Sequence, residues 1–341
     1  MDPVELLAFA RALIDIDSTT GREEAAGRWL ADRLRALGYH VTEQQLERGC
    51  LNVLATLEPP EVVLSTHFDC VPPFFPSSVR GDRLYGRGAC DAKGILAAQV
   101  AASERLCASG ERRVGLLFVA GEERGSDGAV AANQIANGCR FLVNGEPTDN
   151  RLAIATRGVV RVRLVAQGRA AHSAAPEQGI SAIDKLIDAL VRLRSLQLPS
   201  DPVFGTTFYS VGLIEGGVAP NVIPAHASAE VLFRSVGSAD ELLAVVRQLE
   251  PDVTVEDVLR GSPIRMHTVP GFETAVFPFT TDLPLLDRWG APLLYGPGSF
   301  LVAHTDEEHV SIADLDVAVD GYERLARACL EGAKSGDRVI L

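Results

Sequence analysis

"VGLLFVAGEE" runs from Val114 to Glu123. Val114 to Ala120 carries no polar side chain, and two adjacent glutamates follow Gly121. A half-exposed strand alternates apolar and polar residues. An unbroken apolar run this short reads as a strand buried on both faces. Helical patterns rich in small residues flank it, "AKGILAAQVAASERLCASG" before and "SDGAVAANQIANG" after. "EVVLSTHF", "RFLVNGE" and "APLLYGPGS" have a similar strand-like character, and "HVTEQQL" and "NVLATL" precede them. Two amphipathic helices open the chain, "PVELLAFARALIDI" and "EEAAGRWLADRLRALG", and "DLDVAVDGYERLARACLEG" closes it. This alternation predicts an α/β domain, a mostly parallel sheet with helices on both faces.

The style changes near residue 157. "GVVRVRLVAQGRA" alternates apolar and polar residues. The amphipathic "AIDKLIDALVRLRSL" follows, then the strand-like "TTFYSVGLIEGG" and "HASAEVLFRS". "SADELLAVVRQLE" opens with Ser238 and Glu241 in capping-box spacing, and "DVTVEDVL" is a further strand. After about residue 270 the α/β style returns. The expectation is a first domain made of residues 1–156 and 270–341, with an α+β domain of residues 157–269 inserted into it.

The 341 residues suit about two domains. Net charge is −13 and the pI about 5.0, which argues against a nucleic-acid or anionic-membrane partner, since either would call for a basic footprint. The acidic, amphipathic start lacks the basic and apolar regions of a signal peptide, and no apolar run approaches the about 20 residues of a membrane span. The six scattered cysteines form no CxxC pair and read as reduced thiols. A cytoplasmic protein is expected.

Polar residues collect where the strand-like runs end. "VVLSTHFD" ends on His67 and Asp69, and "VGLLFVAGEE" on Glu122 and Glu123. "FLVNGE" ends on Glu146, between Gly145 and Pro147. "PLLYGPGSFLVAH" leads to His304, and Asp91 lies in the glycine-flanked loop "LYGRGACDAKG". Ligands of open α/β sheets bind beyond the carboxyl ends of the strands, so parallel neighbours would bring these tips together. Singly the signals are weak: HxD recurs by chance and a Glu pair is usually solvated. Together they put several carboxylates in one crevice, where like charges would keep some protonated. One or two divalent cations would relieve that. His and carboxylate donors suit Zn²⁺, with Mn²⁺ or Co²⁺ as alternatives.

These stretches, with "STHFDCVPP", "GEERGSDGA", "VNGEPTDN", "GRAAHSAAPEQG", "NVIPAHASAEVLFR" and "GPGSFLVAHTDEEHV", resemble the M20 metallopeptidase family in composition and order, from about residue 65 to 310. That family includes acetylornithine deacetylase, succinyl-diaminopimelate desuccinylase, aminoacylase and carboxypeptidase G. The resemblance implies a two-metal hydrolase. His67 and Glu146 would hold one metal, and Glu123 and His304 the other, with Asp91 bridging. Glu122 would be the general base, activating a metal-bridging water, and Asp69 would orient His67. Glu122 and Glu123 would divide these roles by pointing apart along an extended chain. His172 would donate to the oxyanion from the partner subunit, which implies a homodimer and makes the inserted segment a lid and dimerisation domain. Asn221, Arg234, Gly298 and Ser299 match substrate-contacting positions, with Arg234 suited to a substrate carboxylate. The family's cis peptide would fall at Asp91–Ala92.

Two positions depart from the family pattern: Ala92 stands where Met is frequent, and Ile95 where a second Gly follows KG. The chain is also short for the deacetylase branch. Its last motif is most similar to deacetylases of acetylornithine, acetylcitrulline and acetyl-lysine. The expectation is therefore removal of an acyl group, acetyl first, from a small N-acyl amino acid. A dipeptidase, a carboxypeptidase or a desuccinylase-type hydrolase is the alternative. No Lys/Arg cluster near the strand tips supports a phosphoesterase, and the complete ligand set argues against a degenerate binding protein.

Overall fold

Strand tips converge only if the strands are neighbours, and the computed structural model, which describes residues 1–136 and 138–332, gives their order. Strands β1 (His40–Gln45), β2 (Leu51–Thr56), β3 (Val62–His67), β4 (Val114–Val119), β5 (Phe141–Asn144) and β6 (Ala291–Leu294) form one sheet, in the order β1-β2-β4-β3-β5-β6. β4, β3, β5 and β6 run parallel. They are the apolar runs of the sequence, and β3, β4 and β5 are buried along their whole length. The other edge is antiparallel. β1 and β2 form a hairpin, and β2 runs opposite to β4. The few residues between β1 and β2, folded into a 3₁₀ turn at Glu47–Gly49, are too short for a parallel crossover.

This sheet belongs to a unit made of Met1–Ile154, Met266–Ala275 and the chain from Thr281 onward. The Lys93–Ala108 helix lies at its centre, against β3, β4 and the Pro3–Ile14 and Ile312–Gly332 helices. Its alanines and Gly94 allow that close approach, and twelve of its residues are buried. The Pro3–Ile14 helix starts on a capping box, with Asp2 accepting from Val4 N and Glu5 N and Glu5 answering Asp2 N. A single apolar core joins these helices to the sheet.

Ala155–Arg265 and Val276–Thr280 form a second unit. Its sheet is antiparallel, in the order Phe208–Gly216, His226–Ser235, Gly158–Gln167, Thr254–Gly261. Burial alternates along Gly158–Gln167, as its sequence pattern predicts. The buried face packs on the Ala182–Leu193 and Ala239–Val246 helices. The Ser238/Glu241 capping box is present.

Candidate metal centre

His67 closes β3, and opposite it in the register is Val119 of β4. The chain leaves β4 through Gly121, and β5 leads through Gly145 to Glu146. Hydrogen bonds hold these exits together. Gly145 N donates to Ser65 O at 2.7 Å, and Thr66 Oγ1 donates to Gly145 O at 2.7 Å. Asn52 joins in from β2. Its side chain accepts from Ala120 N and donates to Gly128 O, tying down the loop after β4.

Glu122 and Glu123 are not on extended chain. Glu122–Arg124 forms a 3₁₀ turn between Gly121 (φ 81°) and Gly125 (φ 107°), a backbone that only glycine adopts freely at both ends. The expectation that the two glutamates diverge as strand neighbours is corrected: the turn sets them apart. Asp69 anchors it, its Oδ1 accepting from Glu122 N at 3.0 Å and its Oδ2 from Glu123 N at 3.1 Å. For His67, the Asp69 backbone oxygen lies 3.0 Å from Nδ1 and Oδ1 lies 3.4 Å away. Asp69 thus fixes both the first histidine and the glutamate turn.

Asp91 stands between the two histidines. Its Oδ1 is 3.1 Å from His67 Nε2, and its Oδ2 is 3.2 Å from His304 Nε2. His304 Nε2 is also 3.0 Å from Glu123 Oε1. Donor atoms of His67, Asp91 and Glu123 all lie within 4.8 Å of one another. His304 reaches this position with φ 62°, a left-handed backbone unusual for a side chain with a Cβ. The peptide Asp91–Ala92 is cis.

Burial pushes the Glu122 carboxyl well above the usual range, reinforced by Asp282, Glu123 and Asp91, although His67 opposes it. Burial does the same to Glu146, reinforced by Glu122. The carboxylates of Asp91 and Glu123 raise His304 to about 10. Burial resists charge on His67, but Asp69 and Asp91 outweigh it and its pKa is raised. Among the described residues, no Lys or Arg pairs with Asp91, Glu122, Glu123 or Glu146. A crowded carboxylate cluster with two histidines and no other cation fits divalent metal ions. His67, Asp91, Glu123 and His304 have donor atoms close enough together to hold such ions, and Glu146 lies close enough to feel His67 and Asp91.

Gly298 and Ser299 are brought to this set. Asp149 N donates to Gly298 O at 2.8 Å, and Cys90 Sγ to Ser299 O at 3.3 Å. Three predicted residues lie in the second unit. His172 is exposed on a two-residue strand paired with Val222–Ile223, and Ser173 N donates to Asn221 O at 3.0 Å. Arg234 is half-buried on the His226–Ser235 strand and, among the described residues, has no acidic partner.

Sequence reasoning missed Asp282 and the Arg87–Glu308 pair. Asp282 is 1% exposed, and burial raises its carboxyl to about 6, close enough to His67 and Asp69 to feel both. Nothing in its local sequence marks it. Arg87 and Glu308 are both buried, with Nη1 2.7 Å from Oε2. Burial raises the Glu308 carboxyl, but four donors face it, one of them a guanidinium, and these select the ionised form. The glycines flanking Arg87 were the available clue. Glu308 is indistinguishable in sequence from its exposed neighbour Glu307.

The sequence model of Peptidase family M20/M25/M40 matches residues 63–328. The "Probable carboxypeptidase" of Aspergillus clavatus is 36% identical, over 97% of this chain and 84% of that protein. Two solved structures share the fold. Aminopeptidase PepT from Bacillus cereus has a TM-score of 0.81 at 19% identity, covering 97% of this chain and 99% of that one. A dinuclear metal-binding peptidase from Bacillus subtilis has a TM-score of 0.73 at 16% identity, covering 96% and 98%. Among the described residues, no helix is long and apolar enough to cross a membrane.

Proposed function

The chain belongs to peptidase family M20/M25/M40 and is a hydrolase of amide or peptide bonds, and from that premise we propose that it is a two-metal carboxypeptidase acting on small peptides. One observation carries the metal reading: Asp91 offers one oxygen to His67 and the other to His304. The naming of the 36% identical Aspergillus clavatus relative as a probable carboxypeptidase supports that class over the acyl-amino-acid class. Zn²⁺ is the proposed ion, with Co²⁺ or Mn²⁺ as alternatives.

Bound cations would supply Lewis acidity toward the scissile carbonyl and toward a water. The rest falls to the chain. Glu122, held beside the donor set by the turn and by Asp69, accepts a proton from the attacking water and passes it to the departing amine. The turn from Gly121 to Gly125 and the Asp69 carboxylate hold Glu122 and Glu123 in separate roles. Arg234, without an acidic partner among the described residues, is assigned to the free carboxylate of the substrate, with Asn221, Gly298 and Ser299 as further contacts. His172 is assigned to the developing oxyanion. A homodimer is part of this reading. So is a cytoplasmic setting, on the sequence evidence.

A second reading is removal of an acyl group from an N-acyl amino acid. The resemblance of "GPGSFLVAHTDEEHV" to deacetylases favours it. Amine release is measured on dipeptides, tripeptides and N-acetyl, N-succinyl and N-formyl amino acids, with chelator-stripped protein and again after Zn²⁺, Co²⁺ or Mn²⁺ is added. Metal-restored activity on peptides with a free C-terminus is expected. Activity confined to acylated amino acids would replace this reading with the second.

A further inference from the structure

Glu308 has no role in the chemistry above, yet it is 0% exposed and fully engaged. Its Oε1 accepts from Gly88 N at 2.9 Å, Cys90 N at 3.1 Å and Asp91 N at 3.1 Å. Its Oε2 accepts from Arg87 Nη1 at 2.7 Å. Arg87, also buried, donates from Nε to Pro73 O and lies over the Phe75 ring. Three backbone N–H groups converging on one oxygen make an anion cradle in the loop that carries Asp91.

The carboxylate filling that cradle comes from the segment that carries His304. Asp91 is therefore gripped at two points by one stretch of chain, at its N–H by Glu308 and at its Oδ2 by His304. Pairing of His309–Ser311 with Arg83–Tyr85 fixes the same two segments in register. A residue whose two oxygens must face two different donors has little angular tolerance, and a fixed backbone N–H supplies that restraint. A buried ion pair is weak evidence of a stabilising role, so stability alone gives a poor account of Glu308.

We propose that Glu308 is a positioning residue. Through the N–H groups of Gly88, Cys90 and Asp91 it sets the Asp91 carboxylate between the two cation sites, and Arg87 serves as its buried counter-ion. This rests on the two-cation reading of the site.

The test compares two double variants, Arg87→Met/Glu308→Gln and Arg87→Met/Glu308→Leu. Neither buries an unpaired charge, and they differ in whether an oxygen meets the three N–H groups. Zn²⁺ is titrated calorimetrically into each stripped protein and into the stripped wild type. The wild type is expected to bind two cations. The glutamine pair should stay within about threefold of it, while the leucine pair binds at least one cation about 10–100-fold more weakly. Equal affinities in the two variants, with two ions in the wild type, would overturn this inference alone. A wild type that binds no cation would overturn the site reading and this inference with it. Should the leucine variant fail to fold, Glu308→Asp replaces it. It keeps the charge but withdraws the oxygen by one methylene, and wild-type affinity there would equally overturn the proposal.

Discussion

A Cβ atom placed on Gly145 would lie 2.4 Å from Ile95 Cγ2 and 2.6 Å from Gln99 Nε2, closer than real side chains approach. The Lys93–Ala108 helix presses on the exit of β5 at this point, so only glycine admits the turn that aims Glu146. Gly145→Ala is expected to cost about 1–3 kcal/mol in urea unfolding through overpacking, and to weaken cation binding about tenfold or more. Wild-type affinity in that variant would mean that Glu146 is not held by this contact. Glu122 makes a separate prediction. Glu122→Gln keeps shape and burial but cannot take a proton. Turnover should fall about 10²–10⁴-fold or more with cation stoichiometry unchanged. An unaltered kcat would remove Glu122 from the proton path.

At the scale of elements, the Phe208–Gly216 strand stands out. It is the edge of its sheet, and Leu213 and Ile214 are 57% and 63% exposed. An apolar edge strand with unpaired backbone groups is a template for self-association unless it is covered or charged. The homodimer of the proposed function would cover it. Sedimentation should give a dimer for the wild type and a monomer for Ile214→Lys, which puts a charge on that edge. A monomeric wild type would remove the dimer from the functional reading. In the metal-bearing unit, the elements divide the work by rigidity. Strands and the buried Lys93–Ala108 helix fix His67 and Glu146, while a 3₁₀ turn and a left-handed residue place Glu122, Glu123 and His304.

At the scale of the whole molecule, the carboxylate cluster ties metal binding to protons. Asp91 and Glu123 raise the metal-free His304 to about 10 from an ordinary 6.5. A raised pKa means that the protonated imidazole stabilises the fold. In stripped protein that contribution is full below about 6.5 and is lost as the pH rises through about 10. A cation needs the neutral imidazole, so binding near neutrality displaces this proton. Zn²⁺ binding at pH 7.5 is expected to release protons, seen as a binding enthalpy that varies with the buffer's ionisation heat. Affinity should rise with pH. An enthalpy independent of buffer would contradict this account of the site.

The sequence by itself determined the chemistry of the strand tips. Asp91 and His304, which lie in loops, were legible through the family resemblance, while His67, Glu122, Glu123 and Glu146 were legible as candidates because each closely follows a short apolar run that reads as a buried strand. The parallel core was legible for the same reason, since unbroken apolar strands require cover on both faces. Tertiary structure alone decided the strand order, the antiparallel edge and the turn that separates Glu122 from Glu123, because pairing between distant segments leaves no periodic trace. It alone revealed Asp282, and it alone separated Glu308 from Glu307. Two adjacent glutamates are the same residue to a reader of sequence. Only the fold puts one of them against three backbone N–H groups and a buried arginine, and leaves the other in water.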